Sequence, residues 1–264
     1  MKNTKIDWCD SAWNPVTGCK HGCEYYYAKG IAKRFSGWSI PKGNVLHKPL
    51  DGDSVVLDNP LLILRKNGKW YKSVYPYDFI PTFYRYRLDV EKEVGKKPQT
   101  VFVCSMADLF GEWVPDKWIE EVFAACAKAP QHRYLFLTKN PERYVKLMNA
   151  GKLPQGNNYW YGTTLTSTKE YPRASDIFAL SPLGYNVFFS IEPILDRVLF
   201  KMLPDWVIIG AETGNRKEKV EPLKPWIDYI AAVCYNSGAK IFMKDSLRGI
   251  IPDDEFRQEY PWKH

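Results

Sequence analysis

The chain has 264 residues, 45% of them hydrophobic and 15% aromatic, which is enough apolar material to bury a full core in one large domain. Its net charge of +7 comes from Lys and Arg scattered along the chain, not gathered in a tail, so composition inclines it only weakly toward anionic partners. No apolar run is long enough to cross a membrane and Met1-Lys2-Asn3-Thr4-Lys5-Ile6-Asp7-Trp8 has no signal-peptide pattern, so the sequence predicts a cytoplasmic protein with no membrane partner.

In chain order, a first strand is predicted just before Cys19, followed by a helix ending near Phe35. Positions 37–99, about sixty residues rich in Pro, Gly and Asp, break the rhythm and read as an insertion. Within it Leu61–Arg65 and Lys69–Val74 flank Lys66-Asn67-Gly68, the pattern of a β-hairpin with a tight Asn-Gly turn. An insertion there either caps a site or is a passive edge feature. Phe83-Tyr84-Arg85-Tyr86-Arg87 interleaves aromatic and basic residues as single-strand nucleic-acid binders do, but composition favours the plainer reading of core and rim residues.

From there apolar runs alternate regularly. Strands are predicted at Thr100–Cys104, Tyr134–Thr138, Tyr159–Thr164, Val187–Ile191, Trp206–Ile209 and Lys240–Met243. Between them, Pro115–Lys128 sets Trp118, Ile119, Val122, Phe123 and Cys126 on one helical face, and Pro141–Asn149, followed by Gly151, is a shorter helix. Pro225–Ser237 does the same with Trp226, Ile227, Ile230, Ala231 and Cys234, closed by Gly238 as a C-cap. The alternation predicts one α/β domain over residues 1–264: a full or partial TIM-like barrel of six to seven parallel strands with right-handed crossovers.

Polar residues follow nearly every strand: Ser105 and Asp108, then Lys139, Thr163 and Thr164, Glu192, Glu212, and Lys244 with Asp245. Any one of them alone reads as a loop residue or a helix cap. In a parallel barrel, however, the carboxyl ends of the strands share one mouth, so the repetition predicts a site for a polar, charged ligand. Of six cysteines, Cys126 and Cys234 fall on apolar helix faces, leaving Cys9, Cys19, Cys23 and Cys104 as the chemical candidates. A zinc site at Cys19, His21 and Cys23 lacks a second ligand pair, with His47 and His132 distant in sequence. Neither a Gly-Lys-Ser/Thr phosphate loop nor a nucleophile elbow is present.

One segment is more specific. Cys19-Lys20-His21-Gly22-Cys23-Glu24-Tyr25-Tyr26-Tyr27 is preceded by Trp13-Asn14-Pro15-Val16-Thr17-Gly18 and followed by Ala28-Lys29 and Ala32-Lys33-Arg34-Phe35. Later blocks are Val103-Cys104-Ser105-Met106-Ala107-Asp108-Leu109-Phe110, Ala129-Pro130-Gln131-His132 running into Leu137-Thr138-Lys139-Asn140-Pro141-Glu142-Arg143, Ser190-Ile191-Glu192-Pro193-Ile194-Leu195, and Trp206-Val207-Ile208-Ile209-Gly210-Ala211-Glu212-Thr213-Gly214. Together they resemble the phage-associated, radical-SAM-like family named after phage gene products 37 and 68. That resemblance implies a [4Fe-4S] cluster and S-adenosylmethionine as cofactors, with an external electron donor, and a 5′-deoxyadenosyl radical as the reactive species. It makes Cys19 and Cys23 the first two iron ligands and Tyr25 the aromatic packing near the adenine. It assigns Asp108 to the cofactor amino group, Glu192 to the ribose hydroxyls, Gly210 and Glu212 to the strand end under the adenine, and Lys139 or Lys244 to the cofactor carboxylate.

The family pattern places a third cysteine where this chain has Tyr26. A cubane cluster needs soft thiolates, and a phenol oxygen is hard and differently placed. Three explanations stand at the level of sequence: a substitution in an otherwise active chain, a third thiolate from Cys9 or Cys104, or a barrel that has lost catalysis. The function expected is a radical S-adenosylmethionine-type enzyme impaired at Tyr26; the alternative is a catalytically inactive barrel that binds a ligand or mediates a phage–host interaction. The substrate stays open among a nucleotide or nucleic-acid base, a small metabolite, a peptide and a protein.

Overall fold

The computed structural model describes residues 4–36, 54–64, 67–214 and 216–263. The elements in chain order are β1 (Ser11–Trp13), β2 (Val16–Thr17), α1 (Tyr27–Ser36), β3 (Val55–Leu57), β4 (Leu62–Leu64), β5 (Trp70–Lys72), β6 (Thr82–Tyr84), α2 (Val90–Glu93), β7 (Thr100–Val103) and α3 (Asp116–Ala127). They continue with β8 (Arg133–Thr138), α4 (Glu142–Asn149), β9 (Tyr159–Thr164), α5 (Ala174–Leu180), β10 (Asn186–Ile191), β11 (Trp206–Ile209), α6 (Lys224–Ser237) and β12 (Lys240–Met243).

Seven strands form one all-parallel sheet in the order β1-β7-β8-β9-β10-β11-β12, the partial barrel expected from the alternation of apolar runs. It stays open because β12 does not pair with β1. β7 ends at Val103, one residue earlier than predicted, because Cys104 takes a left-handed φ of 61° that a strand cannot continue through. The hairpin strands β4 and β5 pair antiparallel, with Leu64 opposite Trp70; Arg65 and Lys66 of its turn, like positions 37–53 of the insertion, lie outside the described residues. β6 carries the insertion back onto the body by pairing with β2 and β3.

Strand side chains alternate between faces with period two, and the two faces bury different material. Val101, Val103, Tyr134, Phe136, Tyr161, Val187, Phe189, Val207, Ile209 and Ile241 point outward and pack with Ile119, Val122 and Phe123 of α3 and Ile227, Ile230 and Cys234 of α6. Phe102, Leu135, Trp160, Phe188, Trp206, Ile208 and Phe242 point inward, where Trp8 joins them. This inner layer is tight enough to exclude a methyl group: a Cβ on Gly162 would fall 2.5 Å from the Phe188 ring.

Both chain ends close the open side. Asp7 crosses to the far strands, its Oδ2 accepting from Asp245 N–H at 2.9 Å, and Trp8 packs on Phe102 with ring centroids 4.6 Å apart. The C-terminal segment runs antiparallel along β12, with Met243 N–H donating to Arg257 O at 2.7 Å and Glu259 N–H to Ile241 O at 2.9 Å. Trp262 then packs edge-to-face with Trp160 and Trp206, with the Arg133 guanidinium over its ring, at the amino edge of the sheet. The barrel interior is thus filled from below, and a recess opens at the carboxyl edge. No described helix is long and apolar enough to cross a membrane.

If Trp8 is a plug rather than a fringe residue, Trp8→Ala should cost about 3–5 kcal/mol in chemical denaturation, with Trp8→Phe recovering a good part of it. A loss below about 1 kcal/mol, the size of an ordinary surface change, would show that the N-terminal segment is not part of the core.

Candidate functional site

The cleft at the carboxyl edge has a cavity volume of about 150 Å³ and opens into a wider mouth. Cys19, Cys23, Tyr25 and Tyr26 line it from the loop between β2 and α1; Asp108 enters after β7, Lys139 after β8, Glu192 after β10, Glu212 after β11 and Lys244 after β12. Gly210 is not one of the residues that line the cleft but lies behind two that do, since a Cβ there would fall 3.0 Å from Lys244 Cδ and 3.4 Å from Glu192 Cγ. Two strand-end residues turn away: the Thr163 hydroxyl donates to Thr138 O, and the Asp245 carboxylate pairs with Arg248. Sequence reasoning gave no site role to Trp8, Tyr27 and Ser190, and weighed His21 only as a zinc ligand; all four line the cleft. Ser190 was findable, because it sits two residues after the inward-facing Phe188.

Five charged side chains, Asp108, Lys139, Glu192, Glu212 and Lys244, line the cleft and set its electrostatics. Asp108 is buried with both oxygens committed: Oδ1 accepts from the Thr138 hydroxyl at 2.7 Å and Phe110 N–H at 3.0 Å, and Oδ2 from Lys139 N–H at 3.0 Å while lying 2.7 Å from His21 Nε2. Burial works to raise its pKa, but these donors, His21 foremost, outweigh it and hold the carboxyl below its ordinary value. Glu192 is ion-paired with Lys244 across the β10 and β12 ends. Glu212, nearly inaccessible, is gripped by Arg216 through two bonds of 2.7 Å, and the Arg216 hydrogen bond holds its carboxyl below the ordinary range. Arg216 also lies 3.7 Å from Glu24, so one guanidinium links the β11 loop to the cysteine loop.

Lys139 differs from these. No carboxylate among the described residues lies within ion-pairing distance of it; its ammonium sits 5.4 Å from the centre of the Tyr25 ring. Burial lowers its pKa, opposed by the charges of Cys23, Glu170 and Asp108. Burial in turn raises the Tyr25 phenol, with Cys23 beside it adding to the effect.

The donor set decides what iron chemistry the chain supports. Cys19 and Cys23 are free thiols on the cleft wall, and burial pushes Cys19 up to about 12, so its thiolate is disfavoured as the site stands. Tyr26 turns its hydroxyl inward to donate to Ser105 O at 3.2 Å and Ala107 O at 3.4 Å, and burial first, then the neighbouring Cys19, keep the phenol protonated. Burial likewise pushes Cys9 and Cys104 up to about 12. Neither joins the pair: among the described residues no three His, Cys, Asp or Glu side chains gather as metal ligands. The residues present therefore do not fit a cubane cluster held by three thiolates.

Because both oxygens of Asp108 are saturated, Asp108→Asn must leave Phe110 N–H or Lys139 N–H without its acceptor, at about 1–3 kcal/mol. The pH dependence has a fixed sign. A carboxyl depressed in the folded state contributes fully above its unfolded pKa, about 3.9, and the contribution is lost as pH falls below that through the folded value. Equilibrium denaturation from pH 7 to pH 2 should therefore show a steeper acid limb for the parent than for Asp108→Asn; parallel limbs would mean that Asp108 is not held in this way.

No curated protein matches the chain. Among solved structures it is similar to spore photoproduct lyase: to one variant at 12% identity and a TM-score of 0.45, over 80% of this chain and 58% of that one. A variant with bound AdoMet and dinucleoside spore photoproduct aligns at 10% identity and a TM-score of 0.46, over 95% of this chain and 56% of that one. A complex with dinucleoside spore photoproduct gives 10% and 0.46, over 90% and 64%. The chain spans less than two thirds of the length of these three. The phage association implied by the sequence resemblance has no counterpart among the matches. A family model described as a protein of unknown function, DUF5131, matches residues 3–249, nearly the whole length, and the chain belongs to that family.

Proposed function

We propose that this protein is a radical S-adenosylmethionine-type barrel with a disabled cluster loop: its cleft takes S-adenosylmethionine and a second, small substrate of nucleotide kind, while Tyr26 withholds the third thiolate. The observation that carries this is the convergence of the loop residues Cys19, Cys23, Tyr25 and Tyr26 with Asp108, Lys139, Glu192, Glu212 and Lys244 on one cleft. The remaining residues suit a zwitterionic nucleoside. Tyr25 offers a ring face to adenine, Glu192, steadied by Lys244, suits ribose hydroxyls, and the unpaired Lys139 suits a carboxylate better than Lys244, which is already neutralised. Asp108 can meet the cofactor amino group only by sharing Oδ2 with His21 and Lys139 N–H. Because the donor set does not fit the cluster, no chemical step is assigned to it.

The two hydrogen bonds from Tyr26 also favour the second reading, a catalytically inactive barrel that binds a ligand or partner. Restoring the ligand separates them. Tyr26→Cys, reconstituted with iron and sulfide without oxygen, should turn brown and hold about four irons per chain, against far less for the parent. With reductant and S-adenosylmethionine it should then release 5′-deoxyadenosine. Failure of the restored chain to bind iron would put the inactive-barrel reading in front. A parent that already holds a full cluster would place the third ligand elsewhere, and Cys9→Ala and Cys104→Ala would show where.

A further inference from the structure

Lys and Arg are scattered along the chain, but the acids that balance them are not. Residues 25–77 hold nine Lys and Arg against three Asp, a net +6 of the chain's +7, so the remainder is close to neutral. Within that stretch, α1 carries no acidic residue and exposes Lys29, Lys33 and Arg34. Its other side buries Ala28 and Ala32 in a small cluster with Tyr75, just beyond β5, which sets the base of the hairpin beside the helix.

The β4–β5 hairpin has two unlike faces. Ile63 is buried and Tyr71, opposite it, half-buried; Leu62, Leu64, Trp70 and Lys72 are exposed. Leu62 lies opposite Lys72 and Leu64 opposite Trp70, so by alternation these four share the outward face. Trp70 is 60% exposed, far more than a tryptophan with a place in a core, and Lys69 next to it is exposed as well. Among the described residues no carboxylate ion-pairs with the basic side chains of α1 or of the hairpin: Glu24 and Asp58 pair with Arg216 and Arg85 instead.

Uncompensated cations attract a phosphate backbone, and an exposed indole is a platform on which an unpaired base can stack. A lipid surface is matched less well, because the hairpin tip Asn67-Gly68-Lys69 is polar where a membrane insert would be apolar. The aromatic and basic run at positions 83–87 takes no part. Phe83 and Tyr84 are buried, Arg85 is held by Glu121 and Asp58, and Arg87 donates to Asn14 O and Val74 O. Tyr27, the first residue of α1, is 44% exposed and also lines the cleft, so the basic surface reaches the cleft mouth.

We infer that the outward faces of α1 and the β4–β5 hairpin bind single-stranded nucleic acid, with Lys29, Lys33, Lys69 and Lys72 meeting phosphates and Trp70 stacking on a base. The binding needs neither cofactor nor cluster; only delivery of a nucleotide past Tyr27 into the cleft rests on the function proposed above.

Fluorescence anisotropy of the full chain with a labelled single strand of about 20 nucleotides, as DNA and as RNA, and with the DNA duplex tests this, beside flotation with phosphatidylserine vesicles. At least one single strand should bind, more tightly than the duplex, and the tighter of DNA and RNA identifies the sugar preferred. Trp70→Ala should weaken binding about fivefold or more and leave its salt dependence unchanged. The double variants Lys69→Ala, Lys72→Ala and Lys29→Ala, Lys33→Ala should each weaken it about tenfold and flatten the slope of log affinity against log salt by about 1.4. All five side chains are exposed, so the variants should keep the parent's circular dichroism. The surface is overturned if no single strand binds, if neither lysine pair changes the salt slope, if Trp70→Ala binds as the parent does, or if the variants impair vesicle binding alone. Isothermal titration with S-adenosylmethionine separates the two readings: a chain that binds the strand and not S-adenosylmethionine upholds the surface and rejects the cofactor reading, and the reverse rejects the surface alone.

Discussion

The carboxylate of Asp108 is the fixed point of the cleft. Buried in an apolar wall, it is stable as an anion only when its oxygens are satisfied, and the four donors that do so come from three separate stretches of chain: its own loop, the end of β8 and the cysteine loop. That requirement brings His21, and with it Cys19 and Cys23, against the strand ends. His21 is braced from its other side by the edge of Trp113, ring centroids 4.9 Å apart. The cysteine loop is therefore seated against the strand ends by hydrogen bonding.

Around that point the cleft divides in two. On the β10–β12 side, carboxylates and cations are matched pair by pair: Glu192 with Lys244, Glu212 with Arg216. On the β8–β10 side, Lys139, Thr164 and Ser190 line the same space, and no carboxylate among the described residues lies within ion-pairing distance of the lysine. Tyr26 belongs to neither half. Its hydroxyl is spent on Ser105 and Ala107, in the loop where Cys104 adopts its left-handed turn, so the tyrosine reinforces the strand-to-loop corner where the resemblance expects a ligand.

Most of the sheet was legible because its strands are continuous apolar runs buried on both faces. Tyr159–Thr164, Trp206–Ile209 and Lys240–Met243 coincide with β9, β11 and β12. What escaped notice was short or irregular. β2, β3 and β6 have two or three residues each, too few for a period to register, and their pairing depends on a chain reversal across the insertion. α5 follows a 3-10 turn containing Pro172, which masks its start. At the site, the residue types were visible at the ends of apolar runs, but their partners were not. Glu192 meets Lys244 from 52 residues away, and nothing local indicates which lysine is neutralised and which is left alone. The direction of the Tyr26 hydroxyl is equally a property of the assembled corner.

The clasp between Asp7 and the segment that follows β12 joins parts of the chain far apart in sequence, and so forms late in folding. Asp7 bonds to Asp245, 238 residues later, and its carbonyl accepts from the Tyr260 hydroxyl, 253 residues later. The helices and the outer face of the sheet can consolidate from neighbouring units as they leave the ribosome. The inner aromatic layer is sealed only when residues 257–262 dock along β12. A chain in which Trp262 is not yet docked leaves Trp160 and Trp206 uncovered and presents an open trough of tryptophan and phenylalanine, the kind of surface that chaperones capture and that aggregates when they do not.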